Sequence, residues 1–457
     1  LLDYLFARAR ALDALGRNEE AKGAYEEVLR ASPRHFEALT SLGALLIAMG
    51  HRSEAIDALT RAVEACPEEP RAHTNLAHLI SDESTARARE HYERALQLDP
   101  GHPNAHRGLA ILLLRTGRMD AARRHGRIGF QDGAEARPYR GAGRPVSLLL
   151  VLSAMGNNVP IDQLLDDRVF LKWTLVAEFF DPNGELPPHD FVFNGVGDAD
   201  RCAFALDVAG AALSRTKAPI LNQPSRVRET SRVGNAARLT SIPGVVTAAI
   251  QEWSRDALEA PDAATALVRQ GFRWPLLLRS PGFHTGEHFV KVDDAVALPS
   301  TVASLPGSTL LVIQFLDTRG SDGMFRKYRV MIVDGQLLPL HLAISPSWKV
   351  HYFSADMVDH PKHRAEDEAF LQDMPRVLGP RAAGALASVR DRLGLDYGGI
   401  DFALDGQGDV IVFEANATMV IVQPPDDERW RYRVEPVERV KTAVRRMLLK
   451  SAGRPEP

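Results

Sequence analysis

Cysteine is nearly absent from this chain: of 457 residues, only Cys66 and Cys202 carry a thiol. They lie far apart and in no metal-ligand spacing, which excludes a disulfide framework and makes a reducing, cytoplasmic compartment the expectation. Long apolar runs are missing too. The longest candidate, Val146 to Met155, has the length of a buried strand and falls short of the roughly 18 residues a membrane span needs. No excess of one charge exists either: 55 Lys and Arg stand against 59 Asp and Glu, a net charge of −4. Without a global basic field, nucleic acid is not an expected partner, and neither is a membrane. What remains is the composition of a globular protein, 45% hydrophobic and 25% charged, long enough for two to four domains. The start at Leu1 rather than Met is what a piece of a longer chain would show, and a targeting segment could have preceded it.

The first third is repetitive. Small residues recur at Ala9, Gly43, Ala77 and Ala110, with Gly16, Gly50 and Gly117 seven positions after three of them. Ala21, Ala55, Ala88 and Ala122 follow, then Tyr25, Leu59 and Tyr92, and Pro33, Pro67 and Pro100 close the units. The period is 34 residues, with one deletion near Ser81 to Thr85. Small residues let paired helices approach closely, the glycine permits a tight connection, and the proline stops the second helix. This pattern resembles tetratricopeptide repeats: three full repeats and a partial fourth over about residues 2 to 128. The resemblance implies a helical solenoid whose concave face holds a peptide or protein, although such an array can also act only as a spacer or dimerise the protein. His73, Asn75, His102 and Asn104 stand near the starts of first helices, where that face is often lined. Gln131 to Pro145, rich in Gly, Pro and Arg, reads as the linker that ends this domain.

The most informative stretch lies near the other end. Gly399 to Asp405 and Val410 to Asn416 read as two strands joined by Asp405-Gly406-Gln407-Gly408-Asp409. Pairing symmetric about Gln407 and Gly408 sets Phe402 against Phe413 and Leu404 against Ile411 on one face. It sets Asp401 opposite Glu414 on the other face, with Asn416 beside them. Two carboxylates about 4 to 5 Å apart repel by about 4 kcal/mol at an effective dielectric near 20. A hard divalent cation such as Mg²⁺, which takes carboxylate oxygens, phosphates and water, would offset that. A solvated face, or one protonated carboxylate, would satisfy the same pattern.

DF followed by an acidic, Gly-rich turn and FEANATM resembles the metal-binding hairpin of ATP-grasp enzymes, close to D-alanyl-D-alanine ligases, glutathione synthetase and the ribosomal-protein glutamate ligases. The resemblance implies that Asp401, Glu414 and Asn416 hold Mg²⁺ bridging the phosphates of ATP. Other pieces follow in the family's order. Val146 to Leu152 and Phe191 to Asn194, with helical stretches between them, suggest a small parallel α/β domain at residues 146–222, in which the loop Met155-Gly156-Asn157-Asn158 could touch a substrate. The ATP-grasp domain itself would span 223–450. Within it, the Asn222-Gln223-Pro224 stretch and its helix put Arg232, with Arg226 and Arg228 as neighbours, nearest the position of the family's lysine that reaches the nucleotide phosphates. Pro275 to Leu278 would deliver Arg279 in place of the central lysine, ahead of a Gly282 to Gly286 phosphate loop. Leu310 to Leu316 reads as a buried strand leading to the adenine hinge. That makes Gln314, Phe315, Leu316 and Asp317 nucleotide contacts by resemblance.

Lys327 and Arg329 project from one face of a strand; Lys327 would meet the nucleotide, and Arg329 matches the arginine that stabilises the transferring phosphate. Alternatively, Arg329 forms a structural ion pair with one of the acids. His341, Trp348, Lys349 and His351 occupy the place where related ligases hold the acceptor. Glu435 to Ser451 reads as an amphipathic basic helix packed across the fold. The fold expected is thus an α solenoid followed by a small α/β domain and a two-lobed α+β ATP-grasp domain. The function expected is an ATP- and Mg²⁺-dependent carboxylate-amine ligase, catalysed through Arg279 and Arg329 and acting on a peptide or protein brought by the repeats, with a homodimer conceivable. A phosphotransferase using the same site and a scaffold with an inert site are the alternatives.

Overall fold

Glycine and proline divide the first 130 residues into helix pairs. In the computed structural model, which describes residues 1–130, 134–283, 286–350 and 355–454, these pairs belong to the first of two compact units. That unit is Leu1–Glu135 with Phe179–Asp181; the second is Ala136–Glu178 with Pro182–Pro457. The pairs are Leu2–Ala14 with Asn18–Ala31, Phe36–Ala48 with Arg52–Ala65, Pro70–Ile80 with Thr85–Leu98, and Pro103–Arg115 with Met119–Gly129. The fourth pair is complete, where the sequence pattern anticipated a partial one. Its second helix lacks a closing proline, so its end was not marked. Gly16, Gly50 and Gly117 take φ of +70°, +79° and +73° between the paired helices, a conformation other L-residues adopt only with strain. Close approach explains the small positions: a Cβ on Gly108 would sit 2.3 Å from the Tyr92 ring, and one on Gly43 2.7 Å from Leu59.

The second unit contains three sheets. The first includes four parallel strands, adjacent in the order Phe170–Val176, Val146–Leu152, Phe191–Asn194 and Ile220–Leu221. The strand Phe170–Val176 replaces helical structure expected between residues 152 and 191. Its sequence FLKWTLV carries the aromatic and β-branched residues of a strand, but a run this short is ambiguous by periodicity alone. The helix Ala203–Leu213 follows the strand Phe191–Asn194, with Leu206, Val208, Ala209 and Leu213 among its buried residues. Asn222, fully buried with φ of +54°, ties the sheet to the strand Tyr397–Leu404. Its amide donates to the Tyr397 carbonyl at 2.8 Å and accepts from the Asp396 and Tyr397 N–H groups at 3.0 and 2.9 Å. Pro224 then opens the short helix Pro224–Arg228, so this Asn-x-Pro element is structural.

The second sheet is antiparallel, in the order Ile250–Ser254, Thr309–Gln314, Leu276–Arg279 and Phe289–Val292. Leu267, Phe272, Leu278, Val292, Leu310 and Val312 fill its core. The third is ordered Gln336–Ser345, Phe325–Val333, Tyr397–Leu404, Val410–Asn416 and Val245–Thr247. Asp334 and Gly335, both at positive φ, make the two-residue turn of its first hairpin. The helix Val434–Ser451 packs on that hairpin. Among the described residues, no helix is long and apolar enough to cross a membrane.

Candidate functional site

Adjacent strands of the third sheet place the two acids. Asp401 pairs directly with Glu414, and Gly399 with Asn416, as symmetric pairing requires. Beyond Asp401 the register slips: Phe402 pairs with Val412 and Leu404 with Val410. Phe413 is therefore a β-bulge residue, 46% exposed, rather than the apolar partner of Phe402. A bulge adds one residue to one strand and re-aims its side chain; here it turns Phe413 toward the cavity.

Each acid already has a cation. Arg329, one strand over and in register with Asp401, donates to both carboxylate oxygens at 2.5 and 2.8 Å. Lys327, two residues earlier on the same face, lies 3.1 Å from Asp401. Glu414 accepts from Arg232 at 2.8 Å and from the Asn416 amide at 3.0 Å. Burial pushes the Asp401 carboxyl upward, yet Arg329 and Lys327 outweigh it and hold the group well below the usual carboxylate range. The ion pair anticipated as the alternative for Arg329 is thus present. Asn416 joins the acids, but its amide oxygen accepts from Thr418 N at 3.0 Å and Oγ at 2.9 Å, so it does not face them.

A cavity of about 450 Å³ opens between the second and third sheets beside these pairs. It brings together Arg232, Arg279, Gln314, Phe315, Leu316, Lys327, Arg329, Asp401, Glu414 and Asn416. The strand expected to run to Leu316 ends at Gln314, so Phe315 and Leu316 leave the sheet and line the opening. The Gln314 side chain is turned to the backbone of Arg273, accepting at 2.9 Å and donating at 2.9 Å. Arg279 donates to the Phe283 carbonyl at 2.5 Å and lies over the Phe289 ring at 5.3 Å. Burial, with Arg232 nearby, lowers its pKa to about 10.

Asp317 departs from expectation. It does not line the cavity, and its carboxylate is clamped by the neighbouring Arg319 side chain. Arg226 and Arg228 also lie outside, near Glu229 and Asp207. The loop 155–158 does not line the cavity either; Asn157 donates to Asp198 at 3.1 Å and Asn158 to the Ser153 carbonyl at 2.9 Å. Trp348 and Lys349 do line it, and Trp348 packs edge-on against Phe289 and Phe315. His341 is buried beneath, in register with Arg329. His351, and His284 and Thr285 of the expected phosphate loop, lie outside the described residues.

Two acids went unnoticed in sequence. Asp198 and Asp200 follow the strand Phe191–Asn194, at the carboxyl end of a parallel sheet where ligands commonly bind, and both line the cavity. Asp200 pairs with Arg232 at 3.1 Å, and burial raises its pKa. The only signal was the polar, Gly-containing loop itself.

In the helical unit, Asn75 and Asn104 are exposed, and His102 caps the helix Pro103–Arg115 by accepting from Ala105 N at 3.4 Å. His73 is buried. It bonds His91 at 3.0 Å and the Pro67 carbonyl at 2.9 Å. His106 repeats this with His125 at 2.8 Å and the Pro100 carbonyl at 2.9 Å.

Tetratricopeptide-repeat family models match residues 6–70 and 79–125. The N-terminal region therefore carries these repeats, followed by a mixed region of helix and sheet. No curated protein matches the chain. Among solved structures, MamA (41-end) from Desulfovibrio magneticus RS-1 is 26% identical with a TM-score of 0.27, over 29% of this chain and 75% of that one. PilF of Pseudomonas aeruginosa is 24% identical with a TM-score of 0.27, over 28% and 60%. YrrB, described as a TPR protein with an unusual peptide-binding site, is 20% identical with a TM-score of 0.26, over 28% and 66%.

Proposed function

We propose that the second unit is an ATP-dependent carboxylate-amine ligase of the ATP-grasp type, and that the repeats recruit its peptide or protein substrate. One observation carries this reading: a single cavity gathers Arg232, Arg279, Lys327 and Arg329 beside the facing acids Asp401 and Glu414. Apolar side chains, among them Ile250, Leu277, Ile313 and Phe315, share the lining and suit the base of a nucleotide. The acids offer only oxygen, the donor a hard cation such as Mg²⁺ selects, so Asp401 and Glu414 would hold it. When bound, Mg·ATP supplies the phosphoryl group that activates a carboxylate, from which an amine then displaces phosphate.

The residues of the chain supply charge and position. Arg232 and Arg329 are paired with the acids, and a ligand bearing both a cation and phosphates offers each partner a replacement. Arg279 and Arg329 would then neutralise charge building on the transferring group, fixed in place before the reaction. Guanidinium at positions 232 and 279 allows bidentate bonding to phosphate oxygens, which an ammonium cannot give. Water exclusion falls to Phe413, Trp348 and Met419 at the cavity wall.

A second reading, a protein-binding scaffold with an inert nucleotide site, is favoured by the same pairs, since both acids are already neutralised within the chain. Thermal unfolding with and without Mg·ATP separates the two. Ligand at one hundred times its Kd adds about 2.7 kcal/mol to native stability, enough to move the melt of its unit by a few degrees. A Mg²⁺-dependent shift that Glu414→Gln loses, with ADP released on addition of an amine and a carboxylate, supports the ligase. No shift at millimolar ATP leaves the scaffold.

A further inference from the structure

A second group of ligating side chains lies apart from the cavity, where the chain enters the helix Pro361–Gln372. Asp356, His360 and His363 each offer one ligand atom, and these atoms lie within 4.8 Å of one another. His360 Nε2 is 2.8 Å from an Asp356 carboxylate oxygen, and the two imidazoles stack with centroids 4.8 Å apart. His363 Nδ1 donates to the Asp356 carbonyl at 2.7 Å. A carbonyl only accepts, so the neutral ring carries its lone pair on Nε2. Tying one ring nitrogen to a backbone carbonyl is how metal-binding histidines are commonly oriented.

The frame around the three is built. Asp356 N donates to the Ile344 carbonyl at 3.0 Å. Arg364, the cation of this turn, donates to the Met357 and Val358 carbonyls at 2.9 and 2.5 Å. One helical turn on, the buried Asp367 accepts from Leu342 N at 2.7 Å and from Arg433 Nε at 2.6 Å. The helix bearing His363 is therefore anchored on both sides.

We propose that Asp356, His360 and His363 bind one divalent transition-metal ion of the zinc class, with water completing the shell. The donor set decides the class: two imidazoles and one carboxylate suit Zn²⁺, whereas Mg²⁺ and Ca²⁺ select oxygen alone. Metal–ligand bonds of about 2.0 to 2.2 Å in a tetrahedral shell require His360 Nε2 and the carboxylate oxygen to part to about 3.3 Å, a small rotamer adjustment. Ligation through Nε2 leaves the His360 proton on Nδ1, so the neutral ring is the form that binds and uptake weakens as pH falls. The ion would brace the entry of the helix, independently of any nucleotide.

Titration of the full chain with Co²⁺, read by visible d–d absorption and then by displacement with Zn²⁺, tests this. One equivalent with a tetrahedral spectrum is expected. His363→Ala and Asp356→Asn should each weaken binding at least about tenfold, and so should His360→Ala, whose side chain is 49% exposed and whose loss leaves the fold intact. His91→Gln with His125→Gln should bind as the parent does. Absence of a d–d spectrum, or binding unchanged in the His360 and His363 variants, would overturn the site while leaving the nucleotide reading untouched.

Discussion

Asp401 and Glu414 face each other across one hairpin, yet each is neutralised by a different arginine: Arg329 on Asp401 and Arg232 on Glu414. The arrangement resolves the repulsion of the opposed carboxylates inside the protein itself. The two acids are also unequal, because Asp401 is 3% exposed while the Glu414 side chain is 30% exposed.

Asp401→Asn is expected to destabilise the second unit by about 3 to 5 kcal/mol, since it leaves the half-buried Arg329 and Lys327 without their buried counter-charge. Glu414→Gln should cost less, because Arg232 keeps Asp200. Chemical unfolding of both variants checks the order. An Asp401→Asn loss under about 1 kcal/mol would show that the pair is weakly coupled.

Arg279→Ala should weaken nucleotide binding about 10- to 100-fold, the worth of one charged hydrogen bond of about 1.5 to 3 kcal/mol. Arg279→Lys should recover part of this by charge alone. Titration with Mg·ATP measures both. Equal affinities in parent and alanine variant would remove Arg279 from the site.

Gly108→Ala should destabilise the helical unit by about 1 to 3 kcal/mol, because the added methyl meets the ring of the buried Tyr92. Gly23→Ala, with open space around it, should be neutral or stabilising by up to about 1 kcal/mol. Comparing the melts of the two variants isolates packing from helix propensity.

Acid should loosen the helical unit through its histidine pairs. Burial, then the charge of His73 or His106, lowers the pKa of His91 and His125. Below the ordinary histidine value near 6.5 the unfolded chain takes up protons that the folded imidazoles refuse, so stability is full above that value and declines as pH falls through it toward the folded values. Hydrogen-exchange protection of the helices Thr85–Leu98 and Met119–Gly129, taken relative to the intrinsic rate at each pH, should fall between about pH 7 and 5. His91→Gln with His125→Gln should flatten that dependence.

Much of this was legible in the chain. A 34-residue period needs only local rules: a glycine at positive φ, small residues where helices touch, a proline to stop. The opposition of Asp401 and Glu414 followed from the alternation of two strands around one turn. The bulge at Phe413 did not follow, because inserting a residue into one strand is settled by what packs on either side of it. The strand Phe170–Val176 was hidden for a similar reason: seven residues cannot declare a period, and their parallel pairing with Val146–Leu152 is non-local. Asp317 misled because resemblance assigns a place in order, while the adjacent Arg319 decides where the carboxylate goes.

By itself the sequence determined the repeat array, the hairpin that opposes Asp401 to Glu414 and the set of cationic residues, since each depends on spacing along a helix or strand. Only the tertiary structure decided which charges meet. Arg329 reaches Asp401 across 72 residues and Arg232 reaches Glu414 across 182. Such pairings depend on which strands become neighbours and which helices pack beside them, which no local period encodes, and Coulomb energy selects among partners only after burial has brought them within a few ångströms.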